Sequence, residues 1–264
     1  QQWTGKQGYQ RQQQQMKSPD IMKSEARILA QASHFQCQLG NCYYIRLSPA
    51  GRRMDTSTID SMIADHCGDH HPEPELLDLL AAVAEREGVE PGADDLRLGA
   101  HFVRGYIEHV PYMMKVAWTA AVNVGLESQM KQILEMVESY WVEGDDVIPD
   151  ELGVIGLLDD AYCSLTSLQA VSDHYQLQTG KHLFPSDLGA ANRAMRKIIG
   201  EPYGSELDRI VIMTMRETGL IEAVKSLASE EKKLNFATNS TIWGHGPAGE
   251  LGIAGLENLG LLKN

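Results

Sequence analysis

The sequence predicts an all-α fold: a single-core helical bundle of about seven or eight helices, with a disordered N-terminal extension before it and a Gly-rich C-terminal tail after it. Three observations carry this. Apolar residues recur at helical spacing from about residue 54 to 230, no stretch in that range alternates convincingly as a strand, and Ser, Asp, Pro and Gly stand where helices start and stop.

The elements follow in order. The first fifteen residues are Gln-rich and of low complexity, a composition that stays solvated. Ser18 and Pro19 could open a helix bearing Ile21, Ile28 and Leu29 on one face, and SPAGRR then breaks the chain. Residues 1–53 hold eight Lys/Arg against two acidic residues, a net of +6, whereas the rest carries about −19 of the total −13. The change falls at Met54, so residues 1–53 are expected to be an extension upstream of a domain that begins there.

Thr56 and Ser57 can cap a short helix through Ile63, and Pro74 opens PELLDLLAAVAEREG, which Gly88 stops. Asp94 or Asp95 caps LRLGAHFVRGYIEHV, and Pro111 predicts a break before YMMKVAWTAAVNVG. LESQMKQILEMVESYWV carries Leu126, Met130, Ile133, Leu134, Val137 and Tyr140 or Trp141 on one face and ends at Gly144. LLDDAYCSLTSLQAVSDHY repeats the pattern with Leu158, Ala161, Tyr162, Leu165 and Leu168. Ser186 is expected to cap DLGAANRAMRKIIG, and Ser205 to cap one long helix, ELDRIVIMTMRETGLIEAVKSLASEE. The tail, 231–264, either packs back onto the helices or forms part of a partner-binding surface.

Composition narrows the function. A net charge of −13 would be repelled by phosphate backbones and anionic lipid, so nucleic acid is not an expected partner and a protein partner is. Residues 110–126 are the most membrane-like run, but Lys115 and Asn123 interrupt it, and a buried core helix is preferred to membrane association. Cys37, Cys42, Cys67 and Cys163 form no CxxC pair, and QQWTGKQGYQRQQQQMK lacks the apolar core of a signal peptide. Reduced thiols in a cytoplasmic protein are expected.

The chemistry-bearing stretch is GDDVIPDELGVIGLLDD, residues 144–160, with five aspartates and one glutamate. Two readings compete. In one, Pro149 sets the turn, Asp146 or Asp150 caps backbone N–H groups, and Asp159 and Asp160 sit at the positive end of the next helix. In the other, Asp146, Asp150, Asp159 and Asp160 converge between two antiparallel helices as oxygen ligands for Mg²⁺, Mn²⁺ or Ca²⁺, and a metal-dependent hydrolase becomes conceivable. Asp at helix starts is common, so the first is preferred.

The surrounding run SYWVEGDDVIPDELGVIGLLDDAYCSL, through Tyr140, Asp146, Ile148, Pro149, Asp150, Gly156, Asp159 and Asp160, resembles the signature of the YkvA-like family of domains of unknown function. The likeness extends over about 126–172. It implies a helical hairpin with no established activity, found in small bacterial proteins and at times membrane-associated. This chain is longer and more polar than that pattern, with Glu143, Asp145, Glu151 and Ser164.

Other constellations are weaker. Asp65, His66, Cys67, Asp69, His70, His71, Glu73 and Glu75 could ligate Zn²⁺ or another borderline metal, but Gly68 and Pro72 favour a solvated loop. Gly244 to Gly249 fits G-x-G-x-x-G by letter without the following acid, and reads as a Gly-rich turn. Cys163 and His174 lie too far apart along one helix to pair, so Cys163 is assigned to the core. Met113, Met114, Met130, Met136, Met195, Met213 and Met215 are expected core fillers, and His101 and His109 hydrogen-bonded structural histidines. No nucleophile–base pair or phosphate loop emerges, so a non-enzymatic interaction or regulatory domain is the leading expectation, and a metal-binding protein or hydrolase the alternative.

Overall fold

The structure, a computed structural model, describes residues 54–67, 74–143, 147–184, 188–228, 253 and 255–262. All of them belong to one compact unit, Ile45–Asn264. Among the described residues the chain forms nine α-helices and no strand, which bears out the all-α bundle. The helices are α1 (Ser57–Cys67), α2 (Pro74–Arg86), α3 (Ala93–Glu108), α4 (Val110–Val124), α5 (Glu127–Glu143), α6 (Leu158–Thr179), α7 (Gly189–Ile199), α8 (Tyr203–Glu217) and α9 (Leu220–Ala228). Two 3₁₀ turns complete it, Asp150–Ile155 and Leu256–Leu259.

Local chemistry sets the boundaries. The Asp55 carboxylate accepts the Ser57 N–H at 3.0 Å and the Asp60 carboxylate takes the Thr56 hydroxyl at 2.8 Å, so α1 starts where expected. It runs on past Ile63 to Cys67, which places Asp65, His66 and Cys67 on a helix rather than in a loop. Gly88 closes α2 at φ 72°, with the Val89 N–H reaching back to the Ala84 carbonyl at 2.9 Å. Asp95 lies inside the first turn of α3 rather than at its cap, and accepts the Gly92 N–H at 2.9 Å. Pro111 stands in the first turn of α4, and His109 both ends α3 and precedes α4, so the expected break is present.

Two expected boundaries are corrected. α8 begins at Tyr203, before Ser205, and the single long helix is two, because Gly219 at φ 61° turns the chain between α8 and α9. Leu188 is the residue preceding α7. Gly144, Ser186, the glycines from 244 to 249, Asp69, His70, His71 and Glu73, and residues 1–53 lie outside the described residues.

α6 is the hub. It packs against α3, α4, α5, α7, α8 and α9, and residues 158–172 are buried almost all round. Its small polar residues make that possible: the Ser164 hydroxyl donates to the Asp160 carbonyl at 2.7 Å, and Gln169 accepts the Leu188 N–H at 2.8 Å while donating to Asp173 at 2.6 Å. α4, the run considered for a membrane, is buried against the core through Met113, Met114, Ala117, Trp118 and Ala121. No helix among the described residues is long and apolar enough to cross a membrane. Met130 and Met195 join that core, whereas Met136, Met213 and Met215 are only half-buried. Each large apolar side chain so enclosed contributes roughly 1.5–3 kcal/mol. Cys67 and Cys163 are both reduced and buried.

The histidines divide. His101 is exposed. His109 is 4% exposed and tilts onto Tyr112 at 5.2 Å, yet its Nδ1 has no hydrogen-bond partner, so it is not the satisfied histidine expected. Burial lowers its pKa, because desolvation disfavours the charged ring.

Candidate functional site

The acidic stretch joins α5 to α6. Ile148 is buried, Pro149 at φ −63° and ψ 131° is extended ahead of the 3₁₀ turn, and its carbonyl accepts the Leu152 N–H at 3.1 Å. Inside the turn Gly153 takes φ 63° and ψ −127°, a region open in practice to glycine alone. Gly156, the glycine of the signature, has an ordinary φ of −63°. The chain then enters α6 with Asp159 and Asp160 in the first turn and Leu157, not a polar residue, preceding it.

Asp159 is 0% exposed. Its Oδ2 accepts the Ile148 backbone N–H at 2.8 Å and lies 3.5 Å from the Tyr140 hydroxyl, which donates toward it. One carboxyl therefore ties the end of α5, the 147–149 segment and the start of α6. Burial pushes its pKa up to about 6, against the pull of the N–H groups of Ile148, Asp159, Asp160 and Val147. Its Oδ1 is buried, and the N–H groups near it do not reach it with hydrogen-bond geometry. One turn on, the Trp141 Nε1–H donates to the Ser164 hydroxyl at 2.9 Å, a second tie between α5 and α6.

Of the four predicted site residues, Asp159 and Asp160 stand side by side, both buried, at 0% and 1% exposure. Asp146 and the side chain of Asp150 lie outside the described residues. Among the described residues no three His, Cys, Asp or Glu side chains come close enough to hold a metal ion. Nearby nucleophiles are muted: burial first, then the charges of Asp159, Asp160 and Asp208, raise the Cys163 thiol pKa well above its usual value.

A second polar cluster had no signal in the sequence. The Tyr162 hydroxyl on α6 donates to Asp208 Oδ1 on α8 at 2.6 Å, and Arg196 on α7 donates through Nε to Asp208 Oδ2 at 3.0 Å and through Nη2 to Glu201 at 2.7 Å. The Arg196 side chain is 23% exposed, and its guanidinium fills the space that a Cβ on Gly204 would occupy. Ser205 donates to Glu201 at 2.7 Å. Burial and Asp208 together raise the Tyr162 pKa far above the phenol range, and the bonds to Arg196 and Ser205 lower that of Glu201. Deeper still, the Tyr106 hydroxyl donates to Asn192 Oδ1 at 2.7 Å. These groups join α3, α6, α7 and α8 and offer no activated nucleophile.

Fold and site together define a helical bundle whose acidic loop is anchored by a buried carboxyl. Compared with family models, curated proteins and solved structures, the chain matches none.

Proposed function

We propose that the chain is a YkvA-like, non-enzymatic interaction or regulatory domain in which the acidic signature serves the fold. The observation that carries this is the Asp159–Ile148 hydrogen bond at 2.8 Å, with Tyr140 beside it. Three residues of the signature, spread from 140 to 159, meet on one carboxyl that solvent does not reach. A buried, elevated Cys163 and a Tyr162 tied to Asp208 support the absence of covalent catalysis from this reading.

A second reading, a Mg²⁺- or Mn²⁺-binding protein or metal-dependent hydrolase built on Asp146, Asp150, Asp159 and Asp160, is favoured by one observation. Asp159 Oδ1 is buried, and the N–H groups near it do not reach it with hydrogen-bond geometry. Melting of the full chain at pH 7.5 in EDTA and with Mg²⁺, Mn²⁺, Ca²⁺ or Zn²⁺, beside Asp159→Asn, tests both, since a ligand of the native state raises Tm by mass action. The interaction-domain reading expects the same Tm in every condition. A rise of several degrees with one cation in the parent and not in the variant would overturn it in favour of the metal site.

A further inference from the structure

His109 stands at the corner where α3 passes into α4, closing one helix and preceding the other. Its backbone N–H donates to the Gly105 carbonyl at 3.1 Å and its own carbonyl accepts the Met113 N–H at 3.0 Å, so the first turn of α4 hangs on this residue. Pro111, in the same turn, brings no N–H of its own. The His109 side chain makes no capping bond to α4, and its ring is enclosed against Tyr112.

A neutral imidazole carries one N–H and an imidazolium carries two. Nδ1 is buried with no hydrogen-bond partner. Whichever tautomer the neutral ring takes, the charged ring therefore holds an N–H at Nδ1 with no acceptor, on top of the cost of enclosing a charge. No counter-charge offsets this. The adjacent carboxylate, Glu108, is exposed, and Lys115 on α4 is exposed and paired with Asp60 of α1 at 3.6 Å. Burial is the sole cause of the lowered pKa, so among the described residues no carboxylate of α1, α2, α5, α6 or the 256–259 turn acts on the ring. The negative end of α3 and the positive end of α4 meet there with opposed fields. The hub is held independently of this corner, since α6 also packs against α5, α7, α8 and α9. Openings confined to one segment lie below the global one in free energy.

We propose that His109 is an acid-operated catch: when the ring takes its second proton, the first turn of α4 parts from α3 to bring the imidazolium to water, and Val110, Pro111, Met113 and Met114, all buried in the closed form, become accessible while α5 to α9 stay folded. The unfolded ring titrates at 6.5 and the folded ring lower, so the contribution of the closed corner is fully present above pH 6.5 and is lost as pH falls through the folded pKa. Asp159 acts in the opposite sense, because its proton stabilises the fold, so the test compares proteins that share Asp159.

The full chain is compared at pH 7.5 and 4.5 with full-length His109→Phe, which keeps an aromatic ring against Tyr112 and does not titrate, and with His109→Gln. In urea, acidification should raise the unfolding equilibrium constant of the parent about three-fold or more beyond that of either variant. Hydrogen exchange, corrected for the intrinsic rate at each pH, should show the Met113 and Met114 amides of the parent losing about ten-fold in protection relative to those of α6, and no such loss in the variants. Equal pH responses in the parent and both variants overturn the inference. Loss of Met113 and Met114 protection only together with that of α6 overturns it too, because acid then acts on the whole fold. Should neither variant fold, an NMR titration of the ring in the unmodified chain decides: a midpoint below 6.5 that coincides with the opening of the Met113 amide supports the catch, and a midpoint at 6.5 or an amide that stays closed overturns it.

Discussion

The Asp159 carboxylate and the Ile148 backbone N–H, eleven residues apart, meet at 2.8 Å inside the protein and tie the segment before the 3₁₀ turn to the first turn of α6. Because the folded carboxyl has its pKa raised from 3.8 to about 6, the fold binds this proton more tightly than the unfolded chain does. The associated stability is fully present below pH 3.8 and is lost as pH rises through about 6. Asp159→Asn retains an acceptor for Ile148 and does not titrate. Urea melts of both proteins at pH 4.5 and 7.5 should show the variant gaining about 2 kcal/mol relative to the parent over that interval. A constant difference would remove Asp159 as the titrating group.

Gly153 holds φ 63° and ψ −127° within the 3₁₀ turn. Gly153→Ala should cost about 1–3 kcal/mol in chemical denaturation with the helical circular dichroism unchanged, because the strain is confined to the connection. Gly156→Ala, at an ordinary φ of −63°, carries no such backbone penalty.

The Tyr106 hydroxyl donates to Asn192 Oδ1 at 2.7 Å in a site closed to solvent. Tyr106→Phe should lower stability by about 1–3 kcal/mol, since the amide oxygen of Asn192 loses its donor where water does not replace it. Asn192→Leu in the same background should cost less than its own effect in the parent, and thermal melts of the four proteins give the coupling.

Arg196 occupies the space over Gly204 that a methyl group would fill. Gly204→Ala must therefore displace the guanidinium from Asp208 and Glu201. Arg196→Ala and Gly204→Ala should each destabilise by on the order of 1 kcal/mol, and the double variant should fall clearly short of their sum. Additive losses would mean that the guanidinium accommodates the methyl group without leaving its partners.

How much of this was legible in the sequence depends on how local the cause is. Leu76, Leu80, Val83 and Ala84 on α2, and Leu126, Met130, Ile133, Leu134 and Val137 leading into and along α5, repeat at helical spacing, and all are buried. Gly88 and Pro111 act within one turn of themselves, so the stop and the break they signal are where the letters put them. Gly219 stands inside a continuous helical pattern, where a single glycine is tolerated, so the letters do not mark the turn it makes. The extension of α1 to Cys67 is not legible because Gly68 and Pro72 point to a loop from Asp65 onward.

The sequence by itself determined the helical class, the core faces of most helices, the buried nature of residues 110–124 and the position of Asp159 and Asp160 in a first turn. Only the tertiary structure decided which backbone group the Asp159 carboxyl reaches. Whether a carboxyl caps its own helix, binds a cation or reaches a backbone N–H eleven residues away depends on how two helices are placed, and periodicity holds no such information. The same holds for Tyr162, Arg196 and Asp208, drawn from three helices, and for Leu259 against Gly99. Contacts between residues far apart in the chain arise from packing the whole core at once, and only folding brings them within hydrogen-bonding or van der Waals reach.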